Sequence, residues 1–260
     1  MIKKELLSVI YDKKKLCLMI FFILIVCLDA FLAYRESFLY EYLKNPIYDF
    51  NVVKNESYHV AQASFLSSVS HGHIPQKIII WNLPLYFLFL SSNTYIQEHK
   101  LHYYSLLSIR MSQKKIYIEQ CFSSFIIAFF LSLIATFMNF IICFFLFHEG
   151  TMFIGLNLFH WLHPNITYFI YILIFSIVCG ILSASMRALS YAIPYSIPLY
   201  TISFGVWFYQ IGAHNSITFL LQPFIEYGWN RILPAIIFFL LISSLFFILG
   251  YIKKVYYENL

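Results

Sequence analysis

Few residues in this chain have the chemistry to bind or react, and most of them sit in apolar company. Asp29 is the one carboxylate well inside a hydrophobic block, "LIVCLDAFLAY". A charge at the centre of a membrane helix costs about 2.5–3.5 kcal/mol on insertion scales, so Asp29 must face protein, water or an interface. Two readings stay open: snorkelling or pairing with Arg35, and a place in a cargo path or a helix pair. Asn82 and Asn139 are also polar residues in apolar surroundings, where a hydrogen bond between helices is the first expectation and a cargo path the alternative. The histidines cluster in "HGH" (His71, His73) and "HWLH" (His160, His163), yet neither motif carries Cys or a carboxylate at ligand spacing, so no metal site is expected. Cys17, Cys27, Cys121, Cys143 and Cys179 fall inside or at the edges of apolar blocks and read as packing residues. No H-E-x-x-H, no G-x-S-x-G and no converging pair of carboxylates is present, which leaves an intramembrane enzyme without a catalytic constellation. No G-x-x-x-x-G-K-[ST] loop is present either, so hydrolysis of ATP is not expected on this chain.

The elements that must position these residues are set by composition. With 61% hydrophobic residues, 11% charged residues and a mean hydropathy of +0.75, 260 residues cannot hide their apolar surface in a soluble domain. The expectation is an all-α membrane protein of one domain. Six blocks suit a hydrocarbon core of roughly 30 Å: residues 16–34, 78–95, 120–147, 166–186, 191–211 and 232–252. The first block is expected to stay as an anchor, because no small-residue cleavage pattern follows it. The third is too long to cross upright and is expected to tilt or overrun the bilayer. Pro194 and Pro198, spaced i, i+4 near the start of the fifth block, each remove a backbone donor and are expected to kink or loosen that helix as a hinge.

Charge sets orientation. With both termini on the cytoplasmic side, Lys3, Lys4, Lys13, Lys14, Lys15, Lys100, Arg110, Lys114, Lys115, Arg187, Lys253 and Lys254 lie inside, while Arg35, Lys44, Lys54, Lys77 and Arg231 lie outside. The net charge of +5 then reads as topology and attraction to anionic lipid, not as a nucleic-acid surface. Residues 1–15 place Ile2, Leu6, Val9 and Ile10 on one helical face and Lys4, Glu5, Ser8 and Asp12 on the other, as in a helix lying on the membrane surface. Residues 98–117 make a second such stripe with Tyr103, Tyr104, Leu107 and Met111, followed by the basic turn "SQKK".

In this arrangement the chain resembles the type-2 ABC exporter permeases, specifically the Gram-positive type concerned with antimicrobial-peptide export or immunity. Glu98, Leu106, Leu107, Arg110, Ser112, Lys114 and Lys115 stand where that family places an acidic residue, an apolar pair, an Arg and a Ser-x-Lys-Lys turn. The stretch from His163 to Tyr200, with Pro164 and Gly180, is similar to the family's fourth and fifth helices. The resemblance implies a coupling helix in 98–117 that docks on a separate ATPase. Within the segment that opens at Glu98, Tyr103, Tyr104 and Leu107 would be its anchors, and Arg110, Lys114 and Lys115 would sit at the rim or on lipid headgroups. It further implies that ATP and Mg²⁺ are held by an ABC ATPase dimer and that a second permease copy, or a related one, completes the transporter. Residues 212–231 would form an external re-entrant hairpin turning at Gln222 and Pro223. The cargo would be a peptide or lipid-like molecule, and the site of action the bacterial cell membrane. A membrane immunity or scaffold protein that does not pump is the alternative, and an intramembrane enzyme a more distant one.

Overall fold

The computed structural model describes residues 9, 11–67, 69–92, 96, 112–151, 163–224 and 227–257. Among these the chain is all-helical, with no β-strand. α1 (Lys13–Glu36) starts at Asp12, whose carboxylate accepts the Lys14 N–H at 3.0 Å. That cap separates the triple-lysine turn from what precedes it, so a new helix begins here. Residues 1–8 and 10, most of the expected surface helix, lie outside the described residues. α2 (Phe38–Lys44), α3 (Phe50–Glu56), the single turn α4 (Val60–Ala63) and a 3₁₀ turn (Val69–Gly72) then fold over one end of the bundle. α5 (Ile74–Phe87) continues into a π-helical stretch (Leu88–Ser92), and α6 (Gln113–Leu146) follows. α7 (Pro164–Ala192), α8 (Ser196–Gly212), the turn α9 (Thr218–Leu221) and α10 (Trp229–Tyr251), with a π-helical extension (Ile252–Tyr257), complete the order.

Five of these helices are long and apolar enough to cross a membrane: Lys13–Glu36, Ile74–Ser92, Gln113–Leu146, Pro164–Ala192 and Trp229–Tyr256. The expected fifth of six spans is shorter than its block. Residues 191 and 192 finish α7, Pro194 lies in the connection, and Pro198 sits in the first turn of α8, which has 17 residues. A proline in a first turn removes no intrahelical bond, so here the two prolines mark where one helix stops and the next begins. α6 has 34 residues, about 51 Å at 1.5 Å per residue, and so exceeds the roughly 30 Å of a hydrocarbon core.

α7 is the central helix. It packs most extensively on α6, then on α10, while α1 packs on α6 and α5, and α8 leans mainly on α5. Glycine lets two of these crossings close. A Cβ at Gly250 of α10 would fall 2.2 Å from the Ala188 carbonyl oxygen of α7, and one at Gly180 would meet the Phe125 ring at 2.7 Å. The opposite faces are greasy. On α1, Ile20, Phe21, Leu24, Leu28 and Phe31 are all exposed, as suits a helix solvated by lipid.

Pro84 interrupts α5 and leaves the Ile80 carbonyl without its usual donor. The indole N–H of Trp207, a fully buried side chain on α8, donates to that oxygen at 2.8 Å. The helix break and the helix contact therefore answer each other.

Candidate functional site

α1, α5, α6 and α7 alternate in direction and α10 finishes beside the end of α7, so polar side chains gather at two ends. At the end where α1 finishes, Asp29 is fully buried, three-quarters of the way along its helix. Its partner comes from the loop before α5. His73, the residue that caps α5, places Nδ1 3.0 Å from Asp29 Oδ1 and Nε2 2.9 Å from Glu36 Oε2. Ser70 of the 3₁₀ turn donates its hydroxyl to Asp29 Oδ2 at 2.5 Å. The side chains of Asp29 and His73 are 0% and 6% exposed, whereas Glu36 is 63% exposed, so the row runs from the interior to water. The hydrogen bond to Asp29 holds a proton on His73 and raises its pKa above the ordinary histidine value, although burial acts the other way. Arg35 is exposed and is not the partner of Asp29, which corrects that part of the sequence reading.

Ser70, Asp29 and His73 have the residue types of a hydrolytic triad in the wrong order. Ser70 bonds to the carboxylate, not to the imidazole, so no base is set to activate its hydroxyl. The two carboxylates also meet opposite nitrogens of one ring and do not converge on a point where a cation could sit. Among the described residues no group of three His, Cys, Asp or Glu side chains is arranged for a metal ion.

Beside this row, Asn139 of α6 is fully buried and bonds to two other parts of the chain. Its amide nitrogen donates to the Val26 carbonyl of α1 at 2.8 Å, and its oxygen accepts the Phe65 N–H at 2.9 Å. Gln76 donates to the Phe65 carbonyl at 2.8 Å, and the Tyr168 hydroxyl accepts the Leu66 N–H at 3.3 Å. Irregular backbone between α4 and the 3₁₀ turn is thus satisfied by side chains from α5, α6 and α7. Asn82 behaves differently: its amide donates to the Ile78 carbonyl of its own helix at 2.9 Å, so the expected bond between helices is absent there.

The opposite end gathers cations. Arg187 of α7 and Lys254 of the α10 extension are 2% and 0% exposed. Their charged groups lie 5.7 Å and 5.6 Å from the centre of the Tyr191 ring. Arg187 also donates to the Ser91 carbonyl at the end of α5, and the Tyr191 hydroxyl donates to Gln120 of α6. Tyr117 donates to the Phe247 carbonyl at 2.7 Å, closing α6 onto α10. Sequence reasoning assigned Arg187 and Lys254 to a side of the membrane and gave neither a packing role; both are packed between helices. An arginine four residues before Tyr191, one turn away on the same face of an apolar helix, was the available signal.

Of the expected docking residues, Lys114 and Lys115 are exposed in the first turn of α6, where Ser112 caps the helix by accepting the Lys115 N–H at 3.4 Å. Glu98, Tyr103, Tyr104, Leu107 and Arg110 lie outside the described residues. Within 212–231, Leu221, Gln222 and Phe224 are buried, Tyr227 donates to Gln222 at 2.5 Å, and the rings of Phe219 and Tyr227 stack at 4.3 Å. Its described part holds one helical turn, α9, and then a turn at Pro223 and Phe224.

No family model matches the chain, and no solved structure matches it. A curated relative is the "Uncharacterized protein YybM" of Bacillus subtilis (strain 168), 35% identical over 244 residues, covering 81% of this chain and 96% of the relative. Identity at that level across nearly the whole relative means that this chain belongs to the same family as YybM.

Proposed function

We propose that this chain is the membrane permease subunit of an ATP-driven ABC exporter, moving a peptide or lipid-like cargo across a bacterial cell membrane with both termini on the cytoplasmic side. The observation that carries the reading is the segment between α5 and α6, with Glu98, the Leu106–Leu107 pair, Arg110, Ser112, Lys114 and Lys115. Its flanks support the assignment: Ser91 and Tyr117 both bond at the end of the bundle that holds Arg187 and Lys254. A connection there can present Tyr103, Tyr104 and Leu107 to a soluble partner on the positively charged side. The partner is an ABC ATPase dimer carrying ATP and Mg²⁺, and a second permease copy or a related chain completes the pore.

The test is co-purification of the tagged chain from a Gram-positive host with measurement of ATP hydrolysis. The native chain should carry an ATPase. An anchor in an interface pocket contributes 2 kcal/mol or more, so Tyr104→Ala and Leu107→Ala should each weaken retention by about 30-fold. Lys114→Ala should change chiefly its salt dependence. Full retention and coupled turnover in both anchor variants would remove 98–117 as the docking element. A native chain that carries no ATPase would favour a membrane immunity or scaffold protein that does not pump.

A further inference from the structure

We infer that Glu36, His73 and Asp29 form a proton-binding site, loaded from water on the side of the membrane where α1 ends, that latches α1 to the start of α5. The argument is a count of protons. His73 makes two short contacts to carboxylate oxygens, 3.0 Å at Nδ1 and 2.9 Å at Nε2, and each needs one hydrogen between the heavy atoms. A neutral imidazole carries one N–H. With both carboxylates ionised, one contact would set a nitrogen lone pair against a carboxylate. The observed geometry therefore holds one proton more than a neutral histidine and two carboxylates supply.

The surroundings keep that proton in place. Around Asp29, Ser70 comes from the 3₁₀ turn, Cys143 from α6 and Tyr168 from α7, with Cys27 on α1 within electrostatic reach of Cys143. None of these brings a positive charge, so the cation that the described side chains offer Asp29 is His73 itself. The exposure gradient gives the route. Water at the exposed Glu36 delivers the proton to His73 Nε2, while the proton on Nδ1 stays shared with Asp29. Loss of the proton leaves one N–H for two carboxylates, so one of the two contacts between α1 and His73 is given up.

The measurement is NMR of the full chain in lipid bilayers. Gly72–His73 is the one Gly–His pair in the sequence, so ¹³C-carbonyl glycine with ¹⁵N-histidine assigns the His73 signals without a variant. At pH 7 both ring nitrogens should show the imidazolium signature, with a midpoint above the ordinary histidine value of about 6.5. Glu36 is exposed, so Glu36→Gln should fold as the native chain does and should lower the midpoint by about one pH unit or more. A neutral His73 at pH 7, or a midpoint that Glu36→Gln leaves unchanged, overturns the proposal.

Discussion

The two ends of the bundle bury charge by different chemistry. At the Glu36 end, carboxylates and an imidazole share protons through directed hydrogen bonds, and the row reaches water. At the Lys254 end, a guanidinium and an ammonium lie by one tyrosine ring, with a backbone carbonyl completing the contact. A guanidinium keeps its charge across the whole physiological pH range, whereas an imidazole does not. One end can therefore respond to the pH of its compartment, and the other offers a fixed positive potential. Burial of charge is common to both, so burial alone does not tell a switch from a scaffold; the identity of the acid does.

The sharpest way to break this contrast is His73→Leu. It leaves Asp29 buried without its cation, and removing one member of a buried pair costs about 3–5 kcal/mol. Thermal unfolding in detergent should show a fall of several degrees, larger than for any single change at the Lys254 end. A pH series sharpens the same point. Since the His73 pKa is raised in the folded chain, its stabilisation is complete below the ordinary value of about 6.5 and is lost as pH rises through the raised value. Stability should decline over that window in the native chain, and the part of the decline that tracks the His73 NMR midpoint should be gone in His73→Leu.

At the Lys254 end the largest effect should come from Gly250→Ala. The new methyl would press on the backbone of Ala188, which cannot swing aside, for about 1–3 kcal/mol of overpacking. Gly180→Ala meets only the edge of the Phe125 ring and should cost less in the same unfolding assay. If the two were equal, backbone contact would not be what fixes α10 on α7.

A smaller effect belongs to the middle of the bundle. Trp207→Phe should cost about 1–2 kcal/mol by stranding the Ile80 carbonyl. In Pro84→Ala the restored N–H should reclaim that oxygen, so the cost of Trp207→Phe should shrink in the double variant. Additive losses would mean that the indole contributes by packing alone. Smallest of all, Lys54→Ala removes an exposed ion pair with Glu149 at 3.1 Å and should leave the unfolding midpoint within error.

Much of the scaffold was legible because hydrophobic blocks long enough to span a bilayer leave few alternatives, and every long helix falls on one of them. Asn139 was legible as a link between helices, since an amide in lipid must find partners. Asp29 was readable as needing a partner but not as having His73, because that contact joins residues 44 apart through a loop without periodicity. Searching "HGH" for metal-ligand spacing looked along the sequence, while the carboxylates arrived from α1. The packing of Lys254 and Arg187 was unreadable for a related reason: counting charges by side of the membrane gives their address and says nothing of whether the Tyr191 ring lies beside them.

The π-helical extension of α10 also bears on how this family can drift in length. A wide turn of this kind accommodates one residue more than an α-helical turn, and such stretches often mark functional positions. A one-residue deletion within Ile252–Tyr257 could be absorbed by tightening to an ordinary helix, without breaking the chain path. Residues beyond the stretch would keep their facing, because the residue removed is the extra one the wide turn holds. Inside the stretch, a gap at Ile252 or Lys253 would turn Lys254 away from the Tyr191 ring, so the buried cation would be lost in a single step while the chain path beyond it stays intact.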